Sequence, residues 1–367
     1  MKGIDPGDHF SMAGDKESGL QVFALTCEEV AEEMSSRYGK GLYHAAALYR
    51  AIFKKGGCSF AGTAEFSRSP SLVDRLVRDL RLPACRVVAT QEDEGVLKFT
   101  SALADDRVIE SVIIPAQGRT TLCVSSQVGC RMGCRFCTTG GMGYVRDLNV
   151  EEIVWQVYAA RFEMNRPVDN VVFMGMGEPL DNLENLAGAV RVMGDQRGLD
   201  IPPSHITVST AGHADGIRKL GEMRIPRIRL AVSLNASNDE LRTSIMPINK
   251  RYPLRRLKQE LLAFPRAKDG VIFIEYVLLK GINDLREDAE ELAGYLNGLP
   301  VRVNVIPYNP SGVNSYAAPS REDVQRFCGW LVEERLFVRP RRSRGQDIMA
   351  ACGQLGAAAR AEERPLR

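Results

Sequence analysis

The chain has 367 residues, of which 44% are hydrophobic and 26% are charged. This composition is typical of a globular protein with a buried core, and it excludes a disordered or fibrous chain. The formal net charge is only +2, so any basic surface that contacts nucleic acid must be local.

The first segment, residues 1–19, is polar and lacks the apolar stretch of a secretory signal. We therefore expect a flexible leader there rather than a structural element. No apolar run in the sequence reaches the roughly 18–20 residues that a membrane helix needs. Nine cysteines in such a chain favour reduced thiols over a disulfide framework. We predict a cytoplasmic protein with no membrane partner.

Residues 20–85 predict a small helical N-terminal domain, in which apolar residues recur at helical spacing over 42–53. Residues 86–117 predict a β-hairpin extension. Its two β-branched runs, at 96–99 and 108–114, are separated by turn-forming residues, which is the pattern of two strands and their connection.

From residue 118 onward, short apolar runs alternate with amphipathic stretches of helix length. Six runs predict strands, at 121–124, 170–174, 205–208, 228–233, 271–278 and 301–306. This alternation predicts a parallel sheet with right-handed crossovers. Six such units commonly curl into a full or partial barrel, with an active site at the carboxyl ends of the strands. We assign the barrel to 118–345 and a C-terminal segment to 346–367.

Three cysteines, Cys130, Cys134 and Cys137, follow the first barrel strand with the spacing C-x3-C-x2-C. Three thiolates on one loop suit a soft metal, either zinc or an iron–sulfur cluster. A structural zinc site normally has four ligands in two separated pairs, and Cys123 is the one nearby candidate for a fourth. A cubane cluster bound by three cysteines leaves one iron open to another ligand. The spacing favours the cluster, with zinc as the alternative.

The second barrel strand ends in a glycine-rich turn, Met174-Gly-Met-Gly-Glu-Pro179. Glycines there permit a close approach of backbone to a ligand, and Glu178 can accept a hydrogen bond from an ammonium group. Three later strands end in Ser209, Ser233 and Asn309. Taken singly, each of these is equally explained as a cap or turn residue.

Near the other end of the chain, Cys352 lies between small residues and follows arginines at 339, 341, 342 and 344. One interpretation is a phosphate-contacting patch that brings RNA to a reactive thiol. The other is a solvated basic face beside an inert cysteine. The residue types alone leave both interpretations open.

Together these motifs resemble the RlmN/Cfr family of radical-SAM RNA adenine methyltransferases, and most closely its RlmN branch. The resemblance extends from about residue 24 to 356 and rests on the segments 121–130, 171–180 and 350–355. It implies an α/β fold, a partial (β/α)6 radical-SAM barrel with a helical RNA-binding N-terminal domain. It also implies a 4Fe–4S cluster on the three clustered cysteines, and two molecules of S-adenosylmethionine for each turnover.

The resemblance further implies residue roles. Cys352 becomes S-methylcysteine and then holds the RNA covalently, Glu110 accepts a proton, and Cys123 releases the product through a transient disulfide with Cys352. The implied cofactor shell consists of Gly177, Glu178, Ser209, Ser233, Leu234, Asn235 and Asn309. Asn235 stands where relatives usually have histidine, so a proton role at that position is in doubt while a cofactor contact is not.

The implied reaction is methylation of adenosine C2 in 23S ribosomal RNA, at the position 2503 class of site, with transfer RNA as a second candidate substrate. Two alternatives stay open: methylation at adenine C8, as in the Cfr branch, and a non-catalytic, zinc-stabilised RNA-binding module. We expect a monomer that is served by an electron donor such as flavodoxin or ferredoxin.

Overall fold

The computed structural model describes residues 19–57, 60, 62–310, 314–341 and 344–356. Almost all of the predicted leader, the arginine at 342 and the last part of the predicted C-terminal segment lie outside these residues. No helix in the described part of the chain is long and apolar enough to cross a membrane.

A mixed sheet of ten strands runs through the molecule. The strands of the described chain are β1 Arg86–Asp93, β2 Val96–Ala102, β3 Val108–Ala116, β4 Arg119–Cys123, β5 Gln127–Cys130, β6 Gly143–Asp147, β7 Asn170–Phe173, β8 Ile206–Thr210, β9 Arg229–Ser233, β10 Ile272–Leu278, β11 Val301–Pro307 and β12 Val338–Pro340. The order in the large sheet is β1-β2-β3-β4-β7-β8-β9-β10-β11-β12.

The part of this sheet from β4 to β12 is parallel throughout. All six predicted barrel strands are present, so the predicted parallel α/β architecture is confirmed. β12 is an additional parallel strand that the sequence did not predict. It is only three residues long and contains arginine and proline, so no apolar run marked it, and its register on β11 (Val303 opposite Val338) places it.

The predicted hairpin is a three-stranded antiparallel meander, because β1 pairs with β2 ahead of the two predicted strands. Most of β1 is exposed and polar, so it lacks the alternation that identifies a half-buried strand. β3 then continues antiparallel into β4, with Val112 opposite Cys123. The meander therefore extends the barrel sheet directly.

The helices are α1 Cys27–Tyr38, α2 Leu42–Phe53, α3 Pro70–Asp79, α4 Val150–Tyr158, α5 Leu183–Gly194, α6 Ala214–Glu222, α7 Asp239–Ile245, α8 Leu254–Ala263, α9 Arg286–Leu296 and α10 Arg321–Glu333. Capping boxes begin α1, α4 and α10, which satisfies backbone N–H groups that would otherwise lack partners. The predicted N-terminal helices are confirmed over α1–α3.

The N-terminal helices pack onto the barrel rather than standing apart from it. The ring of Phe23 meets that of Tyr158, just before the π-turn after α4, at 5.1 Å between centroids. Cys27 at the start of α1 donates its N–H to Asp195 after α5 at 2.7 Å. Apolar residues from both regions belong to one continuous core.

Candidate active site

The three clustered cysteines lie at the end of β5 and on the loop that connects β5 to β6. β5, which ends at Cys130, pairs antiparallel with β6, and the loop between them carries Cys134 and Cys137. Arg135 on this loop donates its N–H to the carbonyl of Ile245 at the end of α7, at 2.9 Å. The loop is thereby fixed against the carboxyl-end side of the barrel.

Burial disfavours the thiolate form of two of these cysteines. It raises the pKa of Cys130 to about 12 and the pKa of Cys134 well above its ordinary value, and neighbouring thiols of the loop add to both shifts. A metal ligand must be the deprotonated thiolate. Binding of a metal centre here therefore displaces protons from thiols that are neutral without it.

The surroundings of the loop fit an iron–sulfur cluster. The thiols adjoin an apolar group that includes Met132, Phe136, Met246, Ile248 and Leu279, which limits the access of water to a soft metal centre. No three Cys, His, Asp or Glu side chains of the described residues converge as closely as a single metal ion requires. A cubane does not require that, because each thiol ligates a different iron.

The glycine-rich turn after β7 packs against the protein itself. A Cβ atom on Gly175 would lie 2.7 Å from the carbonyl oxygen of Val124, and one on Gly177 would lie 2.6 Å from Cβ of Gln127. Gly177 also has φ +102°, a conformation that favours glycine. These glycines allow the turn to approach the connection between β4 and β5, and the expected close approach of their backbone to a ligand stays a prediction.

That close approach positions Glu178. Its N–H donates to Gln127 Oε1 at 2.8 Å, and its carboxylate accepts the N–H of Ala211 at 2.7 Å and that of Leu180 at 3.2 Å. Burial raises the pKa of Glu178 to about 7, although these hydrogen bonds and the nearby His213 oppose the shift. The side chain is a buried acceptor at the carboxyl ends of β7 and β8.

The other residues of the predicted cofactor shell lie at or near the carboxyl ends of strands. Ser209 is the penultimate residue of β8, and Ser233 ends β9. Asn235 is fully buried at φ +58°; its side chain accepts the N–H of Val277 at 2.8 Å and donates to Met246 Sδ at 3.2 Å. Asn235 therefore organises the strand ends through internal bonds, and its predicted cofactor contact stays a prediction. Leu234 is also fully buried.

One buried cation, Arg242 on α7, ties these strand ends together. Its guanidinium donates to the carbonyls of Leu234 at 3.0 Å and Ala211 at 2.6 Å, and to Asn249 Oδ1 at 2.9 Å. The side chain is fully buried, and none of the described carboxylates lies within ion-pair distance of it. Burial lowers its pKa, an effect that Tyr295 and Cys134 oppose.

The two remaining cysteines of the prediction meet at the same end of the sheet. Cys123 ends β4 and is buried, whereas Cys352 is exposed. Burial raises the pKa of Cys123 to about 12, and Cys352 contributes to that shift. Cys352 is reachable by solvent, but protein crowds its surroundings, and this desolvation raises its pKa while Arg341 opposes the change. Both are free thiols in the structure.

Cys352 is positioned by residues 344–356, a segment that we call the strap. Thr138 of the cysteine loop donates its N–H to the carbonyl of Gly353 at 2.8 Å, and the hydroxyl of Thr139 donates to that of Leu355 at 2.7 Å. Asn309, after β11, donates to the carbonyl of Cys352 at 3.4 Å. The strap thereby joins the three-cysteine loop to Cys352.

Glu110 on β3 anchors the strap from the meander side. It is fully buried, its carboxylate lies 3.3 Å from Lys98 Nζ, and it accepts the N–H of Gly356. Lys98 also donates to the carbonyl of Met349 at 3.4 Å. Glu110 and Cys123 lie on the same face of the sheet, because Val112 is opposite Cys123 and two residues from Glu110.

Sequence reasoning missed Lys98 and Arg242. Lys98 interrupts an otherwise apolar run in β2, and a charge inside a buried strand was the available signal. Arg242 lies in a polar helix and had no such signal, because only the tertiary structure shows that it is buried.

Comparisons with known proteins agree with this geometry. A family model described as "Radical SAM superfamily" matches residues 124–296. The chain is 40% identical to "Probable dual-specificity RNA methyltransferase RlmN 1" of Protochlamydia amoebophila, over 92% of this chain and 94% of the relative. It is 42% identical to "Dual-specificity RNA methyltransferase RlmN" of Geobacter sulfurreducens, over 92% of each. The crystal structure of a radical SAM methyltransferase from Sphaerobacter thermophilus superposes with a TM-score of 0.85 at 36% identity, covering 92% of this chain and 99% of that one.

Arg242→Gln is expected to lower the free energy of unfolding by about 3 kcal/mol or more, because it leaves buried carbonyl groups without donors. Urea unfolding of the cofactor-free protein measures this. The matched control is Arg255→Gln, an exposed residue of α8, which should change stability by less than about 0.5 kcal/mol. Equal stability of the two variants would contradict the prediction.

Glu178 is expected to make the cofactor-free protein less stable as the pH rises from about 5 to 7.5. Its folded-state pKa of about 7 lies above the unfolded value, so the native state binds more protons in that range. Relative to Glu178→Gln, the free energy of unfolding should fall by about 2 kcal/mol across the range. Parallel stability–pH curves for the two proteins would refute this assignment.

Proposed function

The chain belongs to the RlmN family of radical-SAM RNA methyltransferases, and on that premise we propose that it methylates C2 of adenosine in 23S ribosomal RNA and in transfer RNA. One observation carries the proposal. The strap brings Cys352 to the carboxyl end of β4, where Cys123 lies, and bonds directly to the three-cysteine loop at Thr138. A binding module stabilised by zinc gives no reason for this second pair of thiols.

The family uses a 4Fe–4S cluster and S-adenosylmethionine. We propose that Cys130, Cys134 and Cys137 hold the cluster, and that Glu178 accepts the ammonium group of the methionine. Gly177, Ser209, Ser233, Leu234, Asn235 and Asn309 complete the proposed shell. When bound, the cluster and S-adenosylmethionine supply a 5′-deoxyadenosyl radical that can take a hydrogen atom from a methyl group.

The exposure of Cys352 supports its proposed role as methyl acceptor. Its sulfur displaces the methyl group from a first S-adenosylmethionine, so that a carbon–sulfur bond forms on Cys352 as the sulfonium bond breaks and S-adenosylhomocysteine leaves. The nearby guanidinium of Arg341 favours the thiolate that this displacement needs. The same carbon then joins the adenine ring, so that Cys352 holds the RNA covalently.

Release of the product requires a base and a second thiol on the same side of the sheet. Glu110 takes the proton from the substituted ring carbon, and the ammonium of Lys98 at 3.3 Å keeps this carboxylate in place. Cys123 attacks the sulfur of Cys352, and a sulfur–sulfur bond forms as the carbon–sulfur bond breaks. The unpaired electron that radical addition left on the adduct would return to the iron–sulfur cluster, and the released carbon takes up a proton to become the methyl group. An external reductant then returns both thiols.

A small electron-transfer protein, such as flavodoxin or ferredoxin, supplies electrons to a monomeric enzyme, which works in the cytoplasm where its RNA substrates are. The helical region 20–85 contributes to RNA binding, the meander 86–117 carries Glu110, and the barrel 118–345 and the segment 346–367 carry the cysteines.

The proposal is tested with anaerobically reconstituted protein, a reductant, methyl-labelled S-adenosylmethionine and unmodified 23S RNA. Mass spectrometry of the digested nucleosides should find labelled 2-methyladenosine. Labelled 8-methyladenosine would assign the chain to C8 chemistry instead. Formation of 5′-deoxyadenosine without any methylated nucleoside would mean that the RNA substrate is wrong, and a protein without iron would overturn the radical reaction.

Cys123→Ala is expected to stop the reaction after the RNA is attached. The variant should accumulate a covalent RNA–protein species, seen as a slower band on a denaturing gel, whereas Cys352→Ala should show none. The double variant is the control and should resemble Cys352→Ala. Full turnover by Cys123→Ala would contradict the assigned role.

A further inference from the structure

A broad cleft lies at the end of the barrel opposite the candidate active site. It is lined by the amino ends of β4, β8, β9, β10 and β11, and by the segments that follow α6 and α8. Its volume is about 1340 Å³. We call it the basal cleft. β9, whose carboxyl end Ser233 belongs to the proposed cofactor shell, has its amino end Arg229 in this cleft, roughly 13 Å away along the strand.

The basal cleft carries a local excess of positive charge. Eight of its lining residues are cationic and three are acidic, which gives a local formal charge of +5. The whole chain carries only +2, so the rest of the chain is net negative at −3. A concave surface with one predominant sign of charge concentrates the opposite charge from solution.

These cations are available to a partner. All eight residues are exposed. Of the acidic residues, Glu222 pairs with Arg218 of the cleft at 2.7 Å, which occupies that one cation, and Glu260 pairs with Arg256 outside the cleft at 2.9 Å. None of the described carboxylates lies within 4.0 Å of Arg224, Arg227 or five other cations of the cleft. Arg224 and Arg227 also have φ values of +49° and +61°, a costly conformation for residues other than glycine.

The chemistry of the cleft selects a phosphate backbone. Seven of the eight cations are arginine, whose planar guanidinium matches phosphate oxygens in a bidentate manner. The volume exceeds the roughly 300–1,000 Å³ of typical small-molecule sites, which favours a macromolecule. Of the two aromatic residues of the lining, Phe264 is buried and Phe273 is half-buried, so the cleft offers little surface on which bases can stack.

We propose that the basal cleft binds the phosphate backbone of a second segment of the substrate RNA, away from the target adenosine and without reading its sequence. This inference rests on the proposed function, since it takes the RNA substrate from there. A large RNA then contacts both ends of the barrel, whereas a short stem-loop reaches the active site alone. The cleft thereby favours large, structured substrates through an affinity that depends strongly on salt.

The test compares the wild-type holoenzyme with a triple variant, Arg224→Gln, Arg227→Gln and Lys268→Gln, in binding to full-length 23S RNA over a range of salt concentrations. The triple variant should bind roughly tenfold more weakly at moderate salt, and the slope of log K against log salt should fall by about 2–3. A stem-loop that contains only the target adenosine should bind and react equally well with both proteins.

The matched control is Arg255→Gln, Arg321→Gln and Arg335→Gln, three exposed residues outside the cleft, of which Arg335 also has φ +61°. An equal loss of affinity in this control would overturn the proposal, because it would reflect net charge alone. An unchanged slope in the cleft variant would also overturn it. If the cleft variant loses binding to polyglutamate but not to RNA, the partner is an acidic protein and the proposal is wrong.

A failure of the proposed function can be distinguished from a failure of this inference, because the slopes of log K against log salt are measured by binding and do not require turnover. Absence of methylation by all three proteins would refute the methyltransferase assignment. The difference in slope between the cleft variant and the control would still decide the RNA contact.

Discussion

Uniform strand direction is the constraint on which the site depends. From β4 to β12 all strands of the large sheet run the same way, so residues distant in sequence finish at one edge. Cys123, Glu178 and Ser209 come together for this reason. Parallel strands alone leave their ends loose, however, and here Arg242 holds the ends of β8 and β9 through backbone carbonyls. Removal of the Arg242 guanidinium would leave these buried carbonyl groups without hydrogen-bond donors.

The parts of this architecture that are repetitive could be predicted from the sequence. Six apolar runs between amphipathic helices specify a parallel sheet, and the spacing of the three cysteines brings three thiols together within one short segment. The parts that depend on single tertiary contacts could not. β12 has no apolar pattern and depends on β11 for its register, and the glycines after β7 follow from contact with Val124 and Gln127. Such contacts join segments whose proximity no local pattern encodes.

The distribution of charge over the surface could not be predicted from the sequence either. The total of +2 indicated that any basic surface must be local but not where, and it is the difference between a basic cleft and a net negative remainder. The arginines of the cleft are dispersed in sequence from residue 119 to residue 302. They meet because strand amino ends converge, as the catalytic candidates meet at the opposite ends. One topological rule thus creates two surfaces of different chemistry.

The position of the strap has a consequence for the order of folding. Cys123 and Cys352 are 229 positions apart in the sequence, and closing so long a loop costs more entropy than forming the local strand–helix units. The barrel can therefore be complete before the strap docks, and the contacts of the strap with Lys98 and Glu110, which join residues 251 and 246 positions apart, close the longest loops of the site. A barrel that forms first already holds the three-cysteine loop, and Cys352 joins Cys123 only when the strap docks.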